Sequence, residues 1–516
     1  MKRRKKNEEV EALSADDKAV KYFSKEQLQF FAAVKRGQSV FLTSGAGCGK
    51  TFAIEVVCQW LHEKNIVFAA TATTGAAATH FGGNTFHAWA GLGIFWADLP
   101  FDNLYWSLVT SNETRMRWCT TQVLIIDEIS MMPANQLLLL DRMARKIRTE
   151  SSALPFGGMQ IIAVGDFAQL PPVLPLVPRV PPVFTKQQKP NQIKNEEKRY
   201  CFQLALWHEV FSDSCFCLTT SFRQDTDRDF AELLSRIRFG RVSKQDVAAL
   251  KKRVGGGAGT VGMDKKMIMY ARRAPVDEYN RKKLEELLAG TTPHVYLSRA
   301  AMHSNGHCEY MSAWLRNQNE NCQAPQRLEV CRGAEVMLVA NISVQGGLVN
   351  GLRGTIVSFT EPPIVAQEEK MDDTERGVWP IVFFPSLNYS LPMIPHRWEW
   401  SDSVTGATAQ WCQIPLRLAW AVTVNKAQGA TCDAIHIDTK DFFREGQFYT
   451  ALSRARTLES VSLSSFSPNI IKADDDVRRF YALTRPFLAE TLFLRFTKPF
   501  HIPDVLINIL IDYLTY

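Results

Sequence analysis

Short apolar runs alternate with segments of helical periodicity along the first third of the chain. The runs with the length and composition of buried strands are VFLTS at 40–44, IVFAATA at 66–72, QVLIIDE at 122–128 and QIIAVGD at 160–166. After Lys50, apolar residues recur at the spacing of one helical face, and residues 135–148 predict a second helix. Buried strands that alternate with helices predict an α/β unit with a parallel sheet, whose ligands bind at the carboxyl ends of the strands.

A second α/β pattern begins with FCLTTSF at 216–222, continues with MIMYAR at 267–272 and resumes with LAWAVTV at 418–424. The strand-like runs before that resumption are separated by Gly, Pro and acidic residues, which predicts a small inserted β domain. The predicted boundaries are a disordered basic and acidic tail at 1–21, a first core at 22–190, a second core at 191–280 and 411–480, an inserted β domain with loops at 281–410 and a C-terminal docking segment at 481–516.

Composition narrows the class of protein without naming one. Among 516 residues, 46% are hydrophobic and 22% are charged, which excludes a mostly disordered chain and a collagen-like rod. The net charge of +7 is compatible with a nucleic-acid partner but does not indicate one. Eleven cysteines without a CxxC pair fit a reducing compartment. Since no apolar stretch reaches the roughly 20 residues that a bilayer requires, we expect no membrane partner.

The segment GAGCGKT predicts a phosphate-binding loop, because it follows a strand-like run and leads directly into a helix. Its closely spaced glycines let backbone N–H groups turn toward phosphate oxygens. Lys50 would then reach the β- and γ-phosphates, and Thr51 would ligate magnesium. The strict GxxxxGK[ST] pattern has glycine where this chain has Ser44. The predicted nucleotide-binding residues are Gly45, Ala46, Gly47, Cys48, Gly49, Lys50 and Thr51.

Further polar residues supply what hydrolysis of a nucleotide needs. Asp127 and Glu128 end an apolar run, so Asp127 would hold magnesium and Glu128 would polarise the attacking water. Gln169 in GDFAQLPPV has an amide that could contact both the γ-phosphate and the water. Arg223 and Arg454 both fall in the predicted second core, where they would offset the charge that develops during phosphoryl transfer. ATP would then join the two cores, and hydrolysis would open the cleft.

These segments together resemble a known family. GAGCGKT, TATTGAAA with GGNTFHAWAGLG, IIDEISMM, GDFAQLPPV, LTTSFRQ, LAWAVTVNKAQGAT and GQFYTALSRAR occur in the order and approximate spacing of superfamily 1 helicase motifs. The chain is most similar to the Pif (petite integration frequency) family, which is related to the bacterial RecD helicases. The likeness covers about residues 22–480. It implies two RecA-like P-loop ATPase cores, with a small wedge insertion near 88–118 in the first and a small SH3-like, β-barrel-like insertion in the second.

The resemblance implies an ATP- and Mg²⁺-dependent helicase that moves 5′-to-3′ on single-stranded DNA and unwinds duplex or structured DNA. Such an enzyme would function as a monomer in replication, repair, recombination or telomere maintenance. The direction rests on the resemblance alone. By the family's motifs, Gln27 would read the adenine. The predicted DNA-binding residues are Thr85, His87, Asn350, Thr423, Lys426, Gln428 and Tyr449. Five of them, Thr85, His87, Thr423, Lys426 and Gln428, would face the DNA or link it to ATP.

Three other functions remain open at this point. A non-catalytic DNA-binding paralogue or assembly subunit would have lost groups such as Lys50 and Glu128, which are present here. The helicase portion of a rolling-circle transposase and an RNA-directed motor are the other two. Base stacking and core packing are both open for Trp89, Trp96 and Trp106. The basic block at 2–6 favours the nucleus, with the mitochondrion as the alternative.

Overall fold

The computed structural model describes most of the chain. The described residues are 22–78, 84–92, 100–172, 198–224, 226–256, 266–303, 324–343, 346–348, 350–361, 378–401 and 408–493. The basic block at 2–6 and Trp96 lie outside them. No helix among the described residues combines the length and the apolar composition that a membrane span requires.

A parallel sheet of six described strands forms the first unit, in the order β3-β2-β4-β5-β1-β6. The strands are β1 (Val40–Ser44), β2 (Phe68–Ala72), β3 (Asn84–Thr85), β4 (Val123–Asp127), β5 (Gln160–Gly165) and β6 (Cys215–Leu218). Every residue of β1 and β4 is buried, as expected for central strands covered on both faces.

Helices cover both faces of this sheet. They are α1 (Lys25–Lys35), α2 (Lys50–Glu63), α3 (Gly75–Ala78), α4 (Phe86–Ala90), α5 (Phe101–Thr110), α6 (Asn112–Thr120), α7 (Ala134–Ile147) and α8 (Ala205–Phe211). Helix α2 buries the apolar face that the sequence predicts, including Ala53, Val57 and Leu61. The insertion between β3 and β4 packs on α7, where the Arg142 guanidinium lies 4.1 Å from the Phe101 ring.

The position of β6 corrects one sequence prediction. The sequence predicts that the run at 216–222 belongs to the second core, but β6 pairs in parallel with β1, from Phe41 opposite Cys215 to Ser44 opposite Leu218. Trp207 of α8 packs against Phe41 at 4.9 Å between ring centroids. The first unit therefore extends beyond residue 190 to the end of β6. Periodicity could not reveal this, because a buried parallel strand reads the same in either sheet.

The second unit begins after β6 and is interrupted by antiparallel sheets. Its first elements are α9 (Arg228–Arg238), α10 (Lys244–Lys251), β7 (Met267–Tyr270) and α11 (Arg273–Leu288). The antiparallel strands are β8 (His294–Leu297), β9 (Arg299–His303), β10 (Arg327–Val330), β11 (Glu335–Leu338), β12 (Arg353–Thr360), β13 (Trp379–Phe384), β14 (Tyr389–Pro392), β15 (His396–Ser401), β16 (Thr408–Gln413) and β17 (Leu416–Leu418). Strands β8, β10, β11, β12, β13, β14 and β17 share a core that takes Leu284 from α11. These strands span 294–418, whereas the sequence predicts an inserted domain at 281–410.

After the antiparallel strands the chain returns to a parallel sheet in the order β18-β7-β19-β20. The remaining elements are β18 (Ala421–Thr423), α12 (Val424–Ala427), β19 (Ile435–Ile437), α13 (Gln447–Leu452), β20 (Val461–Leu463) and α14 (Asp475–Phe493). Helix α14 crosses back to the first unit, because Val477 and Tyr481 pack in the core of the first sheet. The predicted boundary between 480 and 481 therefore falls inside a helix.

Candidate active site

A cavity of about 550 Å³ lies beside the residues that follow β1, β4 and β5. Both units contribute to it, which fits the rule that α/β sheets bind ligands beyond the carboxyl ends of their strands. The predicted site residues that line it are Gln27, Ala46, Gly47, Cys48, Gly49, Lys50, Thr51, Glu128, Gln169, Arg223 and Arg454. Phe52, Glu55 and Phe222 also line it, and no motif singled them out.

Two glycines of the loop between β1 and α2 have backbones that other residues rarely adopt. Gly47 has φ +80° and Gly49 has φ +82°, and Gly49 directly precedes α2. The Gly47 carbonyl accepts hydrogen bonds from the backbone N–H groups of Phe222, at 2.9 Å, and Arg223, at 3.2 Å. A Cβ atom on Gly47 would lie 2.5 Å from the Arg223 Cβ. The loop therefore needs glycine here both for its turn and for its close contact with the segment that carries Arg223.

The Lys50 ammonium is held inside the loop. It donates to the Ser44 hydroxyl at 2.9 Å and to the carbonyls of Ser44 and Gly45, each at 3.2 Å. The Ser44 hydroxyl in turn donates to the Gly45 carbonyl at 2.7 Å. Ser44, which departs from the consensus glycine, therefore supplies an acceptor for Lys50 that glycine lacks.

Gln27 fastens helix α1 to the phosphate-binding loop. Its side-chain oxygen accepts from the Ser24 backbone N–H at 2.8 Å, which completes a capping box, and its Nε2 donates to the Gly49 carbonyl at 3.2 Å. Gln27 also lines the cavity. Its role in reading adenine stays a prediction.

Asp127 and Glu128 form an acidic pair at the end of β4. Burial, and then the charge of Glu128, raise the pKa of Asp127 to about 7. Glu128 has a left-handed backbone (φ +54°), which is costly for a residue with a side chain. The Thr73 hydroxyl donates to the Glu128 carbonyl at 2.9 Å and helps to hold this conformation. Oxygen donors from Asp127 and Thr51 are the ligand type that Mg²⁺ prefers, so the residues present fit the predicted metal.

Gln428 is predicted to face the DNA or to link the DNA to ATP, and it lies beside Glu128, a predicted catalytic residue. Its side-chain Nε2 donates to the Glu128 carboxylate at 2.9 Å, and only 4% of the residue is exposed. Gln428 directly follows α12, whose first turn is capped by Thr423. The second unit therefore contacts the side chain that is predicted to polarise water.

Two arginines meet at the cavity from different units. Arg223 follows β6, so it belongs to the first unit and not to the second as the sequence predicted. It donates to the Ser453 carbonyl at 3.0 Å, and burial together with neighbouring Arg454 lowers its pKa to about 10. Burial also lowers the pKa of Arg454. Adjacent cations with lowered pKa values make this side of the cavity suited to a polyanion.

Gln169 presents an unusual polar atom to the site. Only 5% of the residue is exposed, and its buried side-chain oxygen has no hydrogen-bond partner among the described residues. A buried acceptor without a partner is costly, and native proteins retain such groups mainly where a ligand or water completes them. This observation supports the predicted contact of Gln169 with a phosphate or a water.

Tyr449 was predicted to contact DNA, and its position contradicts that prediction. The residue is 3% exposed. Its hydroxyl accepts from the Ala46 backbone N–H at 2.9 Å and lies 3.3 Å from an Asp166 carboxylate oxygen. The side chain lies between the phosphate-binding loop and β5, where no base could stack on it.

The candidate DNA residues of the first unit lie just beyond β3. The Thr85 hydroxyl caps α4 by accepting from the Ala88 N–H at 3.2 Å. The His87 ring shares a 2.8 Å hydrogen bond with Gln136 of α7, and burial lowers the pKa of His87. Trp89 is buried against Trp118 and is a core residue, whereas 62% of Trp106 is exposed.

The candidate DNA residues of the second unit lie beside the antiparallel sheets. Lys426 lines a second cavity of about 300 Å³, to which Gly351 and Arg353 also contribute. Burial, and then the charge of Arg417, lower the pKa of Lys426 to about 8. Asn350 donates its backbone N–H to the Asn341 side chain at 2.9 Å. Lys426 and Asn350 thus flank the junction of the second core with the antiparallel insertion, and their contact with DNA stays a prediction.

Sequence reasoning missed a buried ion pair behind the phosphate-binding loop. Asp166 at the end of β5 accepts from the guanidinium of Arg238 at 2.8 to 3.1 Å. The Tyr481 hydroxyl donates to the same carboxylate at 3.1 Å. Asp166 stands in GDFAQ, so the motif could have identified it, but Arg238 and Tyr481 carry no local signal.

Comparisons with known proteins identify the family of the chain. Residues 22–248 match the family model of PIF1-like helicases, and residues 315–359 match that of the DNA helicase Pif1 2B domain. The ATP-dependent DNA helicase PIF1 of Homo sapiens is 34% identical over 463 residues; this alignment covers 90% of the chain and 64% of the human protein. The chain thus spans less than two thirds of the length of that relative.

Two solved structures resemble the fold. The Pif1 helicase of Candida albicans has a TM-score of 0.76 and 29% identity, with coverage of 89% of this chain and 98% of that one. Pif1 from Bacteroides in complex with ADP-AlF3 and single-stranded DNA has a TM-score of 0.65 and 23% identity, with coverage of 90% and 97%. The mixed α/β fold with parallel sheets therefore matches that of Pif1 helicase structures. On motifs, fold and family models together, the chain belongs to the PIF1-like helicase family.

Proposed function

We propose that this protein is an ATP-dependent DNA helicase that moves 5′-to-3′ on single-stranded DNA and unwinds duplex or structured DNA. One observation carries the proposal: Lys50 and Glu128 from the first unit and Arg454 from the second line the same cavity. A nucleotide bound there would contact both units, so its hydrolysis would change how firmly they are held together. The activity of the human relative, named an ATP-dependent DNA helicase, supports this proposal.

The residues of the cavity fit MgATP. Lys50, Arg223 and Arg454 supply positive charge for a triphosphate. Thr51 of the cavity, together with Asp127 next to the cavity residue Glu128, would hold the magnesium ion, which when bound supplies Lewis-acid charge at the phosphate oxygens. Asp127 fits this role because a divalent cation would favour the ionised form of a carboxyl group that burial now disfavours.

Each side chain then has a defined task during hydrolysis. Glu128 accepts a hydrogen bond from the attacking water, and Gln169 offers to the same region a side-chain oxygen that has no hydrogen-bond partner in the described part of the chain. Arg223 and Arg454 offset the charge that develops on the transferred phosphoryl group. This division of work needs no covalent intermediate.

DNA would act on this chemistry through the segments that hold Glu128. Gln428 holds its carboxylate and follows the α12 segment that carries Thr423 and Lys426. Thr73 holds its carbonyl and follows β2, which pairs with the strand that ends at Thr85. Both predicted DNA segments therefore connect to one residue, Glu128, and a shift in either could change the position of its carboxylate.

We also propose that one chain is the translocating unit, because a single chain supplies the cavity and both groups of DNA residues. Residence in the nucleus, with the mitochondrion as the alternative, and roles in replication, repair, recombination or telomere maintenance complete the proposal. Imaging of the full-length protein fused to a fluorescent protein tests the compartment.

An ATPase assay with and without single-stranded DNA tests the function. We expect DNA to stimulate the wild-type enzyme and Lys50→Ala to abolish turnover while the circular dichroism spectrum is unchanged. Equal residual activity in the wild type and in the Lys50→Ala variant would instead support a non-catalytic paralogue. Stronger stimulation by RNA than by DNA of equal length would favour an RNA-directed motor.

A further inference from the structure

A buried carboxylate behind the phosphate-binding loop receives hydroxyl groups from two tyrosines. Asp166 is fully buried and pairs with the Arg238 guanidinium. Its Oδ2 accepts from Tyr449 and its Oδ1 from Tyr481. The two tyrosines therefore share one acceptor group but approach it from different elements, α13 and α14.

The protons of both hydroxyls can be assigned from their partners. The Tyr449 hydroxyl accepts from the Ala46 backbone N–H at 2.9 Å, so its own proton is available for Asp166. The Tyr481 hydroxyl accepts from the Phe167 backbone N–H at 3.1 Å and also donates to Asp166. Since its single proton is used, the Thr43 hydroxyl donates to Tyr481 at 2.7 Å. Each tyrosine thus links one backbone N–H to the same carboxylate.

Only one of these links reaches the nucleotide cavity. Ala46 lines the cavity, whereas Thr43 in β1 and Phe167, which follows β5, are buried residues that do not. The Tyr449 helix, α13, begins beside Gln169, where a Cβ atom on Gly446 would clash with the Gln169 carbonyl. It ends at Leu452, two residues before Arg454, whose Nε donates to the Thr450 carbonyl of α13 at 2.9 Å. One short helix therefore contacts the segment at Gln169, the phosphate-binding loop and Arg454.

We infer that Tyr449 is a positioning residue of the nucleotide site, whose hydroxyl fixes the phosphate-binding loop at Ala46 to the helix that positions Arg454. The inference rests on the proposed ATPase function. Without the hydroxyl, Ala46 and Arg454 are no longer held in one arrangement, so the loop and the arginine reach the phosphates less accurately. Tyr481 serves as a structural link between α14 and the first sheet.

A matched pair of substitutions separates these roles. Tyr449→Phe and Tyr481→Phe each remove one oxygen atom, leave one backbone N–H without its partner and remove one donor from Asp166, and Tyr481→Phe also leaves the Thr43 hydroxyl without its acceptor. We therefore expect the melting temperature to decrease at least as much in Tyr481→Phe as in Tyr449→Phe. The KM for ATP should rise by about tenfold in Tyr449→Phe, the size of effect that one lost buried hydrogen bond produces, and stay within about twofold of wild type in Tyr481→Phe.

A double-mutant cycle with Arg454→Ala tests the connection to the arginine. If Tyr449 acts through the position of Arg454, Tyr449→Phe should lower kcat in the wild-type background and have a smaller effect once the arginine is absent. Fully additive effects on kcat would overturn the inference. Equal changes of KM in the two tyrosine variants would also overturn it.

A Tyr449→Phe variant that fails to fold while Tyr481→Phe folds would contradict the inference too, because the Tyr449 hydroxyl makes fewer hydrogen bonds than the Tyr481 hydroxyl. ATP hydrolysis by the wild-type enzyme distinguishes a failure of this inference from a failure of the proposed function. Absence of ATP hydrolysis in the wild type would contradict the proposed function, whereas the inference concerns differences among variants of an active enzyme.

Discussion

Substitution of Gly47 by alanine tests whether the phosphate-binding loop and the Arg223 segment form one rigid arrangement. Gly47 has φ +80° and its carbonyl accepts two hydrogen bonds from residues 222 and 223. Gly37, before β1, has φ +74° and nothing within 4 Å of the position that a Cβ atom would take. Gly37→Ala is therefore a matched control with the same backbone conformation in open space.

The expected magnitudes follow from these contacts. A left-handed backbone costs a residue with a Cβ atom roughly 1–2 kcal/mol, so both variants should lose about this much stability. In Gly47→Ala the new methyl group would also lie 2.5 Å from the Arg223 Cβ and 2.9 Å from the Gln224 Oε1. Because a Cβ atom cannot move without its backbone, Arg223 must shift. Arginines at phosphoryl-transfer sites contribute about 10³–10⁵ in kcat, so a shifted one should cost at least about 100-fold.

A coupled ATPase assay at saturating single-stranded DNA, together with urea denaturation, measures both quantities. We expect Gly37→Ala to keep wild-type kcat despite its lower free energy of unfolding, and Gly47→Ala to lose activity. Similar kcat values for the two variants would refute the reasoning, because the clash with Arg223 would then have no consequence for catalysis.

Two further predictions concern the acidic pair. Gln428→Met keeps the side-chain volume but removes the hydrogen bond to Glu128. Stimulation of the ATPase by single-stranded DNA should therefore fall at least about tenfold, while fluorescence anisotropy shows unchanged DNA affinity. A loss of DNA affinity instead would indicate that Gln428 binds DNA. Because the pKa of Asp127 is raised to about 7 in the fold, the folded protein keeps a proton that the unfolded chain releases above about pH 4, so stability should fall as the pH rises from about 4 to about 7. In magnesium-free buffer, the melting temperature of Asp127→Asn should therefore rise relative to wild type across this pH range, and a constant difference would contradict the raised pKa.

The residues of the candidate site could be predicted where their signal is local. The glycines and Lys50 act through a loop between one strand and the next helix, so their spacing in the sequence reflects their geometry. Asp127 and Glu128 could likewise be predicted, because they stand at the end of a buried strand. The helical face of α2 was predictable from periodicity alone.

The rest depends on contacts between distant parts of the chain. Strand β6 joins the first sheet by pairing with β1. The periodicity of the sequence does not reveal which strand β6 pairs with. The hydrogen bond between Thr43 and Tyr481 joins residues 438 positions apart. Tyr449 stands in a helicase motif, but only the packing of α13 on the phosphate-binding loop shows that it is buried.

Strand displacement on partial duplexes tests the central claim most directly. The substrates carry a single-stranded 5′ tail, a single-stranded 3′ tail or no tail, and the reactions contain ATP and magnesium. The proposed function predicts that the wild-type protein displaces the strand from the 5′-tailed substrate alone, and that Lys50→Ala displaces none. Displacement from the 3′-tailed substrate only would contradict the direction, and no ATP-dependent displacement from any substrate would contradict the helicase activity itself.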